Sequence, residues 1–468
     1  MNLSISDWRA RMAGIGQGHV TSFWPEYNEI ERAEFIKELE LLDLDLVQKL
    51  AKIAKHPEPH SAGALSPPDV IWSEQSELDA ERRGRELIDL GKVAFVLVAG
   101  GQATRLGFDQ PKGCYPIGPI SNRSLFQMHA DRLRAIGRRS HGRQGGRTPL
   151  WFIMTSPANH AATIAFFDKN EYFNISPDRI VFFPQATVPA FDTSGRLVLE
   201  SKSQFFRNPN GHGGSLWALA QSGFLNRCRA EGIEHLYYWQ VDNPLARLGD
   251  PRFMGLHTSN PSAGMSSKIV QKRGPGEKVG VLAKSDGRHL CVEYSDLPAA
   301  LRDARDAAGH LLYRAGNIAI HAFRVEFVES LTRGELQLPW HRAVKKIRSI
   351  NSSGAAEEIE GIKFETFVFD ALPLSESTVT LEAKREDEFA PVKNAEGEDS
   401  PASSRDAICY YYNRWMRKAG IVVPATAGEM PKIEIHPLFA FDFAEFKQKL
   451  GSLPQSAAAP VYLGEDYK

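Results

Sequence analysis

Cysteine is scarce: Cys114, Cys228, Cys291 and Cys409 are the four in 468 residues, and they lie far apart. No C-x-x-C pair offers zinc ligands and no regular spacing offers a disulfide framework, so a reducing cytoplasm is the expected location. An excess of charge of one sign is also missing. Lys plus Arg number 56 against 57 Asp plus Glu, which excludes a global field that draws in nucleic acid; any anion must be held by local groups. No stretch reaches 18 uninterrupted apolar residues, and Met-Asn-Leu-Ser-Ile-Ser-Asp-Trp-Arg at the start lacks the basic-then-apolar pattern of a signal peptide. Neither a membrane span nor secretion is expected. Nothing in the sequence specifies an oligomeric state. What is present, 42% apolar and 24% charged residues, suits a globular chain of two or three domains.

The first 90 residues read as helices. Phe35, Leu39, Leu42, Leu46, Leu50 and Ile53 recur at steps of three and four, the stripe of a core-facing helix. Four prolines between Lys55 and Pro68 predict a linker, with a helical pattern resuming over Ser76 to Leu90. From Gly91 the texture changes. Apolar runs at Val93 to Val98, Leu150 to Met154, Ile180 to Phe183 and Leu236 to Val241 are each followed by turn residues and separated by enough chain for a helix. Runs that are apolar on both faces predict a mostly parallel sheet covered by helices, an α/β fold whose ligands bind at the carboxyl ends of strands. Residues 376–468 read as a smaller terminal domain: alternating Val379, Leu381 and Ala383, a polar loop Arg385 to Ser404, and a helix over Arg405 to Gly420. The expected division is therefore 1–90, 91–375 and 376–468. One segment, Arg132 to Arg147, holds six arginines in sixteen residues. Without interleaved aromatics it reads as a solvated helix end and loop rather than a nucleic-acid site.

The stretch "AGGQATRLG", Ala99 to Gly107, leaves the first apolar run and is followed by Pro111-Lys112-Gly113. It is not a Walker A loop, which needs a Gly-Lys-Ser/Thr ending, nor a Rossmann fingerprint, since Gly100 and Gly101 are adjacent and the next glycine is Gly107. What remains is a strand-end loop in which Gly100, Gly101, Gln102, Ala103 and Thr104 present backbone N–H groups to an anion, with Arg105 and Lys112 adding fixed charge. Asp242 ends the run Leu236 to Val241. A carboxylate there suits a Mg²⁺ ion that bridges phosphate oxygens, or the Asp-Asn-Pro sequence is a turn former.

"LVAGGQATRLGFDQPKG" resembles the signature loop of the eukaryotic-type UDP-N-acetylhexosamine pyrophosphorylases, within the wider UDP-sugar pyrophosphorylase family. Ahead of the loop, "FWPEYNEIERAEFIKELELLDLD" resembles that family's N-terminal helical region, and after it "NPNGHGG", "YWQVDNPL", "VGVLAKSDGRHLCVEYSDL", "RAGNIAIHAF", "GIKFETFVFD" and "KREDEFAPVKN" follow in the family's order. The resemblance implies a three-part protein around a doubly wound, Rossmann-like nucleotidyltransferase domain. It also implies a Mg²⁺-assisted reaction in which UTP and a sugar 1-phosphate give a UDP-sugar and pyrophosphate. It makes Lys112, Lys363 and Lys393 phosphate contacts beside Arg105, and it favours the metal role for Asp242. Gln185 matches the glutamine associated with uracil, and Gly211 belongs to the nucleotide set. Glu293, Tyr294, Asn317, Phe367 and Phe369 match positions around the sugar. His212 departs from the pattern, which carries asparagine there, as does Ile320, where asparagine is also common. These departures lead us to expect a sugar preference different from, or broader than, N-acetylglucosamine, and activity that varies with pH near the histidine's titration. An N-acetylhexosamine 1-phosphate is the substrate expected. A UDP-glucose or broad UDP-sugar pyrophosphorylase is the alternative, and a non-catalytic nucleotide-binding module the third reading. A glycosyltransferase is disfavoured because Val241-Asp242-Asn243 supplies no Asp-x-Asp motif.

Overall fold

Val93-Ala-Phe-Val-Leu-Val98 becomes a strand because β-branched and aromatic side chains fill both faces, and all but its last residue are buried. The computed structural model describes residues 3–56, 64–72, 77–140, 147–424, 430–449, 451 and 458–467. In it this strand, β1 (Val93–Val98), lies parallel to β2 (Trp151–Thr155), which is parallel to β3 (Ile180–Pro184). On its other side β1 is parallel to β4 (His235–Gln240). The four runs that predict a parallel sheet are these four strands. Their spatial order, β3-β2-β1-β4, reverses direction between β1 and β4, the switch point of a doubly wound sheet.

Beyond β4 the sheet continues antiparallel. β5 (Met265–Gln271) and β6 (Val281–Ser285) both pair with β8 (Ala315–Arg324), which pairs with β4, while β7 (Arg288–Val292) pairs with β6. β9 (Thr380–Glu382) runs parallel to β5 and carries the alternation read in the sequence, so the central sheet extends past residue 375. The helix Leu125–Arg139, capped by Ser124, buries Phe126, Leu133 and Ile136 in the core that contains Phe95 and Leu97. Its basic end is not presented to a polyanion. Arg134, Arg138 and Arg139 pair with Glu465, Glu445 and Asp442 at 3.1, 2.6 and 2.6 Å; residues 141–146 of that basic segment lie outside the described residues.

These elements belong to one compact unit, Gly63–Pro184, Leu216–Leu336 and Phe369–Lys468. A second unit is built from Met1–Ala62, Gln185–Ser215 and Gln337–Val368. There the expected helical stripe is two helices, Glu29–Glu40 and Leu44–Lys55, because the Asp43 carboxylate accepts the Leu46 N–H at 3.0 Å and starts a new helix. Phe35, Leu39 and Leu50 are fully buried with Phe191, Phe205 and Phe364. The strand Ala356–Glu365 pairs on one side with His341–Ile350 and on the other with Phe191–Asp192. The grouping into units cuts across the three consecutive segments expected from the sequence. The proline-rich linker falls largely on residues 57–63, outside the described residues. No helix among the described residues is long and apolar enough to cross a membrane, and the four cysteines are free.

Candidate active site

At the switch point, Ala99 to Gly113 leaves the carboxyl end of β1 and closes on itself. Gln102 bridges Pro111, and the Lys112 N–H donates to the Gly101 carbonyl at 3.2 Å. A Cβ at Gly101 would meet nothing within 4 Å, so no protein neighbour demands glycine there, and open space beside Gly101 is left for an anion. Ala103 is the buried anchor of the loop. Its carbonyl accepts from Leu106 at 2.8 Å and starts the turn Thr104–Leu106, on which Thr104 and Arg105 are exposed. Arg105 makes no ion pair or hydrogen bond among the described residues.

Lys112 Nζ lies 3.9 Å from Asp242 Oδ2, and both side chains are largely buried. Asp242 follows β4, where Val241 N–H still donates to Val98 at 3.0 Å. Its own carbonyl accepts the Val392 N–H at 2.9 Å, which ties the Lys393 segment to it. Lys393 is half-exposed, 3.9 Å from Asp399 and 5.6 Å from the ring centre of Phe389. The structure therefore brings Lys112, Asp242 and the backbone beside Lys393 together within one unit.

The same unit holds part of the sugar set. Glu293 and Tyr294 follow β7, Glu293 half-buried and Tyr294 exposed. Asn317 sits where β8 bulges: the register against β5 jumps between Lys268 opposite Ile320 and Ile269 opposite Asn317. Ala319, inside the bulge, has φ +53°, a left-handed conformation that costs a non-glycine residue of order 1–3 kcal/mol. Asn317 Oδ1 accepts the Ala319 N–H at 3.0 Å and steadies the bulge, while its Nδ2 approaches Cys291 Sγ at 3.6 Å. Burial pushes the Cys291 thiol up, with the Glu293 carboxylate adding to it, so Cys291 stays protonated. Ile320 is 1% exposed and belongs to the apolar core. Phe369 is likewise buried.

The second unit holds the rest. Gln185 is buried, and its Nε2 donates to Asn210 Oδ1 at 3.2 Å and to the Gly211 carbonyl at 2.5 Å. Because a carbonyl only accepts, the amide orientation is fixed and Oε1 is the atom left to receive a proton donor. Gly211 has φ +82°, and a Cβ there would lie 2.2 Å from the Thr366 carbonyl oxygen, so only glycine fits. Thr366 N–H donates to the Asn210 carbonyl at 2.8 Å, and Gly213 N–H returns to Thr366 at 2.8 Å, clamping the glycine turn on the "KFETF" strand. Lys363, half-buried on that strand, stands 4.9 Å from the ring centre of Phe206.

His212 is neither turned outward nor available for titration near neutrality. Its Nδ1 accepts the Val368 N–H at 3.1 Å, and its ring lies on half-buried Phe367 at 5.3 Å, which lies on His341 at 4.5 Å. Burial, with His341 beside it, lowers its pKa to about 4. The expected pH dependence is thus corrected: near neutral pH the ring is uncharged, with its proton on Nε2.

A family profile described as UTP–glucose-1-phosphate uridylyltransferase matches residues 50–459. The chain belongs to this uridylyltransferase family. It is 36% identical over 429 residues to "UDP-N-acetylglucosamine diphosphorylase 2" of Arabidopsis thaliana, covering 88% of this chain and 84% of that one. It is 36% identical over 438 residues to "UDP-N-acetylhexosamine pyrophosphorylase-like protein 1" of Homo sapiens, covering 89% and 86%. The fold matches the crystal structure of the uridine diphosphate N-acetylglucosamine pyrophosphorylase from Trypanosoma brucei with a TM-score of 0.82 at 26% identity, over 100% of both chains.

Three residues of this uridylyltransferase that sequence reasoning missed hold the loops in place. Asn159 donates to the carbonyls of Ala99 and Gly101 at 3.0 and 3.3 Å, fixing the glycine loop. Asn243 clamps the Lys393 segment, donating to Glu388 at 2.7 Å and accepting from Ala390 at 3.2 Å. His129, fully buried, donates from Nε2 to the Val241 carbonyl at 3.1 Å and accepts from Trp239 Nε1 at 3.4 Å. Only Asn243 carried a sequence signal, its place beside Asp242, and that signal reads equally as a turn.

Proposed function

We propose that the chain transfers the uridylyl group of UTP to an N-acetylhexosamine 1-phosphate, releasing pyrophosphate, in the cytoplasm. The observation that carries this reading is the switch-point loop, with Arg105 at its tip making no ion pair among the described residues and Lys112 beside Asp242, in a chain whose relatives bear diphosphorylase and pyrophosphorylase names. In the reaction a sugar phosphate oxygen forms a bond to the α-phosphorus of UTP while the bond from that phosphorus to the α–β bridging oxygen breaks, its electron pair leaving with pyrophosphate. The nucleophile belongs to the substrate, so no activated serine, cysteine or histidine is needed. The protein's task is to hold two polyanions in line and to stabilise charge on the transferring group.

Arg105, the backbone N–H groups of Gly100 to Thr104, and Lys112 suit the phosphates of UTP; Lys363 and Lys393 add charge that the single loop cannot supply. Gln185 Oε1 suits the N3–H of uracil, where cytosine carries an acceptor instead. Glu293, Tyr294, Asn317, His212, Phe367 and Phe369 are assigned to the sugar. No cluster of three or more metal-ligating side chains occurs among the described residues. The largely buried carboxylate of Asp242 fits Mg²⁺, which keeps several waters and takes one or two carboxylates plus substrate phosphates; Asp242 is the residue that would hold it. When bound, it supplies charge neutralisation to phosphate oxygens.

The test is pyrophosphate release from UTP with a panel of sugar 1-phosphates. Highest kcat/KM with an N-acetylhexosamine 1-phosphate is the expected outcome. Preference for glucose 1-phosphate would transfer the assignment to the UDP-glucose branch, and no release with any sugar would leave only a nucleotide-binding module.

A further inference from the structure

The larger unit contains a cavity of about 420 Å³ that none of the site residues above lines. Its walls come from the helix Leu125–Arg139, the segment Leu245 to Gly249, and the helix Pro401–Lys418. Among its lining side chains are six cations and four carboxylates, and the excess is sharper than the count. Lys268, fully buried outside the cavity, lies 2.6 Å from Asp250 and 2.5 Å from Glu388, so it takes up both of those carboxylates. Arg247 is left 3.8 Å from the already shared Asp250. Arg132 donates to the Pro244 carbonyl and has no carboxylate partner among the described residues. Lys418 is exposed, has no ion pair among them, and stands 4.5 Å from the ring centre of Phe443.

Two further features say what would neutralise that charge. Tyr411, Tyr412 and Trp415 form an aromatic cluster with centroids 5.1 to 5.5 Å apart along one wall. Arg414 pairs with Asp387 through a terminal nitrogen, but its Nε, also at the cavity, is buried without a hydrogen-bond partner among the described residues, a desolvated donor left uncompensated until an acceptor arrives. A cavity of this size accepts one small molecule. Cations beside a stacking wall match an anion with a planar body.

We propose that this cavity is a second ligand site for a nucleoside monophosphate, with the phosphate among Arg132, Arg247 and Lys418 and the base against Tyr411 and Trp415. The site is separate from uridylyl transfer but not isolated from it. Its wall residue Glu388 is held by Asn243 next to Asp242, and the chain continues from Glu388 through Val392, bonded to Asp242, to Lys393.

The experiment is direct binding of AMP, which is neither substrate nor product of uridylyl transfer, by equilibrium dialysis or calorimetry. Adenosine and inorganic phosphate are measured in parallel with the parent chain and the Lys418→Glu, Tyr411→Ala and Arg105→Ala variants. We expect one AMP per chain, bound more tightly than adenosine or phosphate alone, with affinity falling roughly tenfold in K418E and Y411A and unchanged in R105A. Lys418 is exposed, so K418E preserves the fold. Equal binding of phosphate and AMP would overturn the nucleoside class. No AMP binding to the parent, parent-like binding by both cavity variants, or loss confined to R105A would overturn the site.

Discussion

Replacing His212 by asparagine isolates one hydrogen-bond donor. In the parent, Nδ1 is committed to the Val368 N–H at 3.1 Å, so the only proton the ring can offer a sugar is on Nε2. Asparagine Oδ1 occupies the place of Nδ1 and keeps the Val368 bond, but its amide nitrogen lies one bond nearer the backbone than Nε2 did. The donor is therefore withdrawn from the sugar rather than deleted. The stack on Phe367 at 5.3 Å is lost as well, worth about 0.5–1.5 kcal/mol, which the melting temperature reports separately. A neutral hydrogen bond is worth about 0.5–1.5 kcal/mol, so the ratio of kcat/KM for N-acetylglucosamine 1-phosphate over glucose 1-phosphate should change roughly three- to tenfold in His212→Asn. The assay is pyrophosphate release with N-acetylglucosamine, N-acetylgalactosamine and glucose 1-phosphates at several pH values. In the parent that ratio should stay flat from pH 6 to 8, because burial has moved the titration to about 4. Identical ratios in parent and variant would refute sugar reading by His212, and a step near pH 6.5 in the parent would refute the burial argument.

Arg105→Ala should lower kcat about 10²- to 10³-fold, the effect of deleting one preorganised donor, with no change in melting temperature because Arg105 has no ion pair to lose among the described residues; normal turnover removes it from the site. Asp242→Asn keeps the backbone bond to Val392 but loses the charge a hard cation needs, so divalent-cation-dependent turnover should disappear, and a titration curve like the parent's defeats the assignment. Gln185→Leu should lower kcat/KM for UTP about tenfold while that for CTP stays put; parallel loss for both nucleotides would show that Oε1 does not read the base. Burial holds His129 down to about 3 and His235 and His212 down to about 4, with His257 also lowered. Kept neutral in the fold, these rings contribute stability that is complete above their ordinary value of 6.5 and is lost as pH falls toward 4; urea midpoints that do not decline over that interval contradict the burial.

The parts of this fold that were legible in the sequence are those whose signal is local. Each parallel strand is apolar on both faces, and no other short element demands that, so β1 to β4 could be read directly. The glycine loop declared itself by the Arg105 and Lys112 that follow it. Asp43 hid a helix break because capping depends on one side-chain hydrogen bond, which an unbroken apolar stripe does not disclose. Asn159 and His129 were illegible for a different reason: their partners are backbone carbonyls at Ala99, Gly101 and Val241, and every residue has a carbonyl. The sequence of β9 shows its alternation but not its place, since pairing with β5 is set by strand order rather than by its own residues.

The second unit is assembled from three widely separated stretches of chain, and this sets a schedule for synthesis. Phe35 and Leu39 bury themselves with Phe205 and then with Ile362 and Phe364, about 300 residues further on. At ~5–20 residues per second the ribosome needs on the order of tens of seconds to deliver them. During that interval the amino-terminal helices display an apolar face whose partners do not yet exist, while β1 to β3 already have one another. The nascent chain therefore has a window in which holdase chaperones have a ready target at its amino end, and the closure entropy of the long intervening loops falls on the last step of folding.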